Sequence, residues 1–279
     1  MSCGDAQIDG MNGERPYVHG YDARESERLR AQASSVLDLL HGDLSYPPGS
    51  RVLEVGCGTG AQTITLARNS PKARFIAFDR SADSLVRAKT RVAADGLDNV
   101  EFIHADLSSM PFDPASFDHV FVCFVLEHLP NPVDALVLLR RLLKPGGTIT
   151  AFEGDHGATI FHPDSDLAYR AINCQVELQR RAGGNAMIGR QLFPLLVQAG
   201  YRAVHVSPRM VYVDSSRPEL VDGFTRNTFI AMVEGVRVAA IEAGIMGAAV
   251  FDAGIRALYR TAEDDGVFCY TFFRATGFV

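Results

Sequence analysis

The sequence predicts an α/β protein with a mainly parallel sheet and helices on both faces, and three observations predict it. An apolar run, Val52 to Val55, breaks at Gly56, Gly58 and Gly60 and resumes as a helical pattern from Ala61 to Ala67. Further short apolar runs follow at Arg74 to Asp79, Val100 to Ile103 and Phe117 to Phe124, with helix-length stretches before the first and second and after the third. The reversal Leu142-Leu143-Lys144-Pro145-Gly146-Gly147 then closes a helix and leads into another strand, Thr148 to Phe152.

Taken in order, residues 1–15 carry no periodicity and read as a disordered tail. Tyr17 to Tyr21 lead into a helix from Ala23 to Leu40 with Leu29, Ala33, Val36, Leu37 and Leu40 on one face. After the break at 46–50 comes the first strand, whose glycine turn lets the backbone approach a ligand closely while the next helix offers unpaired N–H groups. Glu54, two residues before Gly56, would oppose a pyrophosphate and attract an ammonium group. The second strand ends in Asp79, suited to a ribose diol, and the third runs into Asp106, able to accept from an adenine amino group.

Ser81 is the N-cap of a helix to Ala94, and Asn131 with Pro132 starts another. Ligands in such sheets bind beyond the carboxyl ends of the strands, so Glu54, Asp79, Asp106, Cys123 and Glu153 are expected to ring one crevice. Gly154 to Gly157 reads as a polar turn opening an insertion, 154–190, with a helix from Pro163 to Arg181. A helix from Gly189 to Ala199 and a strand from Ala203 to Val213 precede a second helical insertion. Its apolar face of Val221, Phe224, Thr228, Phe229, Met232 and Val236 packs on the core by default; lining a pocket or joining two subunits as a homodimer stay open. A helix from Val250 to Ala262 and a strand from Val267 to Ala275 finish the chain.

Composition excludes several classes. With 27 basic against 33 acidic residues, a net charge of −6 and no basic stripe, nucleic acid is not an expected partner. The five cysteines show no C-x-x-C pair, which suits reduced cytosol, and the text predicts neither a membrane span nor a signal peptide. No histidine pair at H-x-x-x-H spacing occurs, and no metal is expected.

The set Glu54-x-Gly56-x-Gly58-x-Gly60, Asp79, Ala105-Asp106, Phe117-Asp118 and Leu143-Lys144-Pro145-Gly146-Gly147 resembles the class I S-adenosylmethionine (SAM)-dependent methyltransferases. It spans residues 51–153, and Val125 to Leu129 resembles the small-molecule branch that includes the ubiquinone and menaquinone biosynthesis enzymes. The resemblance implies a Rossmann-like, doubly wound, seven-stranded sheet whose last strand is antiparallel, in a single domain, 16–279. Within it, 16–48 would be a helical lid, 49–153 the SAM core, and 154–190 and 214–262 helical insertions capping a small-molecule substrate.

By the same resemblance the SAM set, which also serves the product S-adenosylhomocysteine, is Tyr21, Gln32, Glu54, Gly56, Cys57, Gly58, Gly60, Asp79, Arg80, Asp106, Leu107, Cys123 and Phe124. Tyr17, Glu153 and Asp155 are candidates for substrate contacts, and His128 and His156 for a base. Two alternatives stay open: a SAM-binding protein of this fold that catalyses another reaction or serves as a binding module, and a nicotinamide-dependent oxidoreductase. Glu54, Asp106 and the Pro-Gly-Gly reversal stand against the second.

Overall fold

The computed structural model describes residues 40–279, so the tail at 1–15, Tyr17, Tyr21 and Gln32 lie outside the described residues. Seven strands form one sheet in the order β3-β2-β1-β4-β5-β7-β6. They are β1 (Arg51–Val55), β2 (Arg74–Asp79), β3 (Val100–His104), β4 (Phe117–Cys123), β5 (Leu143–His162), β6 (Arg202–Asp214) and β7 (Val267–Phe278). The first five run parallel, and β7 lies antiparallel between β5 and β6. Beyond their first residues β1 and β2 are buried at every position, as strands covered on both faces must be.

Helices α1 (Ala61–Asn69), α2 (Ala82–Ala94) and α3 (Pro132–Leu142) make the crossovers. Ser81 caps α2 by accepting from the Ser84 N–H at 3.2 Å, whereas Asn131 holds the N-cap position of α3 without a side-chain bond. The strand order switches direction between the paired neighbours β1 and β4, and in such sheets ligands bind beyond the carboxyl ends of the strands at that point.

One expectation is overturned. Gly154 to Gly157 is not a polar turn, because β5 continues to His162. The reason lies far downstream: β7 is long enough to keep pairing it, with Gly154 opposite Phe272, Asp155 opposite Thr271, and pairing resumed from Ile160 opposite Cys269. The polar residues that suggest a turn are instead buried within the sheet. Helical cover over the rim therefore starts only at α4 (Asp166–Arg181), followed by a 3₁₀ turn (Ile188–Gln191) and α5 (Leu192–Gln198).

The second insertion starts as α6 (Pro218–Leu220), winds into a π-helical run (Val221–Ile230) and continues as α7 (Ala231–Gly235) and α8 (Arg237–Glu242); α9 (Ala248–Arg260) follows. Its apolar face is core. Phe224 and Phe229 pack on Phe268 and Tyr270 of β7, with ring centroids 4.7–6.1 Å apart. Among the described residues no helix is long and apolar enough to cross a membrane.

Gly60 shows how tightly the glycine turn is built into this core. Its φ is +77°, and a Cβ there would stand 3.0 Å from Ala88 Cβ and 3.1 Å from Ala88 Cα, on the backbone of α2. Gly60→Ala combines a left-handed penalty of about 1–2 kcal/mol with overpacking of about 1–3 kcal/mol. We expect a loss of several degrees in thermal midpoint, read by circular dichroism; an unchanged midpoint would contradict the packing.

Candidate active site

The three glycines do three different jobs. Gly56, at φ +65°, leaves room for Val125, whose Cγ2 would lie 2.6 Å from an added Cβ. Gly60 admits α2. Gly58, at φ +52°, faces open space among the described residues, with none of their atoms within 4 Å of the position a Cβ would take. The turn is held from below: Cys57 N–H donates to Phe78 O at 3.0 Å and Gly60 N–H to Cys57 O at 2.9 Å. Packing requires glycine at 56 and 60, but it does not require it at 58.

Asp79 braces this turn. Its Oδ2 accepts from the Gly58 N–H and its Oδ1 from the Ser81 N–H, each at 2.8 Å, and burial holds its carboxyl above the usual range. Glu54 sits deeper at the end of β1. Burial pushes its carboxyl up to about 8, and its Oε2 has no hydrogen-bond partner among the described residues. A buried acid raised this far is stabilised in its charged form by any cation that comes beside it.

The nucleoside-side residues are more exposed. Arg80 is exposed, its carbonyl accepting from His104 Nε2 at 2.9 Å, and its charge offsets a little of the burial effect at Asp79 and adds to the lowering at Asp106. Asp106 accepts from the Ser108 hydroxyl at 2.5 Å and from its N–H at 2.9 Å, which hold its carboxyl low. Leu107 is half-buried at the start of a 3₁₀ turn (Leu107–Ser109). Cys57 turns its side chain into an apolar cluster with Ala77 and Leu85, so only its main chain borders the cradle.

Across the crevice, Phe124 adopts φ +57° at the end of β4, with its N–H on Phe152 O at 3.0 Å and its ring 5.5 Å from that of Phe272. A bulky residue in the left-handed region needs support from its surroundings. Glu153 supplies it: fully buried, it accepts from the Val125 and Leu126 N–H groups at 3.1 and 2.8 Å. Burial, then the neighbouring Glu127 carboxylate, raises its pKa. Cys123 lies between the two sides, its thiol pushed up by burial and by the charges of Glu153, Glu54 and Glu127, and hydrogen-bonded by Gln62 of α1.

Glu54, Asp79, Cys123 and Glu153 thus share one rim, with Asp106 linked to it through Arg80. Asp155 is different: both its oxygens are taken, Oδ2 by Arg190 Nε and Oδ1 by Arg190 Nη2 at 2.7 Å and the Gly157 N–H at 3.0 Å. It ties β5 to the 3₁₀ turn at 188–191. His156 is buried, with Nδ1 2.8 Å from the Tyr270 hydroxyl and its ring 5.8 Å from that of Phe229. His128, in a 3₁₀ turn (Leu126–His128), has Nε2 3.6 Å from Glu127 Oε1.

Sequence reasoning missed Glu127, Gln179 and Tyr270. Gln179 Nε2 donates to both the carbonyl and Oε2 of Glu127 at 3.1 Å, fastening α4 to the turn after β4. Glu127 lies inside the Val125 to Leu129 stretch and was legible as a rim acid. Gln179 and Tyr270 were not, since each meets its partner only through the tertiary fold.

Residues 52–147 match a family model described as a methyltransferase domain. An uncharacterized 37.1 kDa protein in transposon TN4556 of Streptomyces fradiae is 33% identical over 213 residues, covering 75% of this chain and 59% of that protein. The demethylmenaquinone methyltransferase of Bacillus cytotoxicus is 36% identical over 111 residues, covering 39% of this chain and 47% of that enzyme. The chain spans about half the length of these relatives. In fold it is similar to phosphoethanolamine N-methyltransferase 2 of Haemonchus contortus, solved with phosphomonomethylethanolamine and S-adenosylhomocysteine: TM-score 0.53, 18% identity, 88% of this chain and 52% of that one. The part of the chain that matches a methyltransferase domain, 52–147, is the part that holds the glycine turn and β1 to β4 of the seven-stranded sheet.

Proposed function

We propose that this chain is a SAM-dependent methyltransferase acting on a small-molecule acceptor in the cytoplasm. One observation carries the reading: Gly58 faces open space among the described residues, in a left-handed conformation, with the raised carboxyl of Glu54 and the brace Asp79 beside it. The residues present fit the cofactor. The Gly58 main chain would lie against it, Glu54 would meet its ammonium group, and Asp79 with Arg80 and Asp106 would take the nucleoside half. Leu107 and Phe124 would border it, with Cys123 beneath and Tyr21 and Gln32 closing from the lid at 16–48.

SAM supplies a methyl group on a sulfonium centre, so the donor arrives activated and the protein's work is alignment and exclusion of water. Phe124, whose ring packs on Phe272, would give the acceptor an apolar wall, and Glu153 holds the turn that follows Phe124 and carries Glu127 and His128. Tyr17 from the lid and the helical insertions would enclose the acceptor. His128 and His156 are the groups able to hold or move a proton at the acceptor atom.

The test uses methyl-labelled SAM with the full chain and a small-molecule extract, together with binding of SAM and NADH. We expect SAM binding and label in a small-molecule product. Binding without transfer would favour a non-methylating SAM protein, and binding of NADH in place of SAM would overturn the reading.

A further inference from the structure

Tyr270 and His156 are 114 positions apart in sequence, yet their side chains meet at 2.8 Å between β7 and β5. Gly154 makes the contact possible. Residues two apart on a strand share a face, and a Cβ on Gly154 would run into the Tyr270 hydroxyl. The Asp155 main chain beside the phenol oxygen acts in the sense that favours the phenolate, against the larger effect of burial. At 2.8 Å, His156 Nδ1 is placed to accept a hydrogen bond from the phenol's single O–H. Burial, with the charges of Glu127, Asp155 and Glu153, holds the Tyr270 pKa well above its ordinary value, so the proton stays on oxygen at physiological pH.

A neutral imidazole that accepts at Nδ1 carries its own proton at Nε2. We propose that Tyr270 fixes His156 in its Nε2–H tautomer, making the ring a hydrogen-bond donor toward the acceptor and Tyr270 the positioning residue. Such a ring recognises an acceptor group with an exposed oxygen lone pair or anion, of the carboxylate, carbonyl or phenolate class. It does not remove a proton through Nε2, which leaves that role, for an acceptor that needs it, to His128. The acceptor's part rests on the methyl transfer proposed above; the tautomer does not.

Histidine-selective ¹⁵N labelling of the full chain, read by long-range ¹H–¹⁵N correlation at neutral pH, decides the tautomer without any substrate. His156 is assigned by the signal missing in His156→Gln. We expect a protonated Nε2 and a bare, hydrogen-bonded Nδ1 in the wild type, and a mixed or reversed tautomer in both Tyr270→Phe and Gly154→Ala. A protonated Nδ1 in the wild type, or an unchanged ring in both variants, overturns the proposal. Because the wild-type spectrum tests it first, a variant that fails to fold does not shelter it. In the label-transfer assay with the small-molecule extract, Tyr270→Phe should lower transfer at least about tenfold, with SAM affinity within about threefold of wild type. Undiminished transfer overturns the role toward the acceptor, whereas failure of the wild type to bind SAM removes the function and leaves the tautomer standing.

Discussion

Gly58→Ala loses donor binding and keeps the fold. The added methyl group meets no atom of the described residues within 4 Å, so there the folded state bears only the left-handed penalty at φ +52°, about 1–2 kcal/mol. The same methyl group fills the space where a ligand must touch the backbone, and the ligand is forced away from the turn. We expect affinity for S-adenosylhomocysteine to fall at least ~100-fold, about 2.8 kcal/mol, by isothermal titration calorimetry. The thermal midpoint should drop only by a few degrees. Gly60→Ala should show the converse pattern, with stability lost to the clash with Ala88 and binding retained by the molecules that remain folded. Affinity within about threefold of wild type in Gly58→Ala would mean that the ligand does not approach this turn, and the cofactor assignment would go with it.

The contrast also shows what was legible in the text. Strand ends can be placed from short apolar runs, and in a parallel sheet the strand ends are the site; Glu54, Asp79, Cys123 and Glu153 therefore fall together by topology alone. The separate duties of the three glycines were not legible, because they depend on Val125 and Ala88, which approach from other elements. The polar residues of 153–157 misled for a related reason. A strand is recognised by its own alternation, but here the segment is held by pairing with β7 and by Arg190 on Asp155, 35 positions away. Buried polar groups satisfied by distant partners look like loop residues until those partners are known.

The second large effect is a proton linkage at Glu54. Burial raises this carboxyl from 4.5 to about 8, so between those values the folded, unliganded protein holds a proton that the unfolded chain has released. Stability from this group is therefore greatest at low pH and is lost as pH rises from about 5 toward 8. An ammonium group beside Glu54 reverses the balance by favouring the carboxylate. Donor binding below pH 7 should then expel close to one proton, and affinity should rise with pH at a slope approaching tenfold per unit until it levels near 8. Calorimetry of S-adenosylhomocysteine binding at pH 6.5, repeated in buffers of different ionisation enthalpy, counts that proton directly. Glu54→Gln should bind more weakly, with a count near zero and no rise in affinity with pH. Its unliganded thermal midpoint should fall less with pH than that of the wild type, whose remaining decline reports the other buried acids, Asp79 and Glu153. Proton uptake, or no exchange at all in the wild type, would remove Glu54 from the donor's amino end.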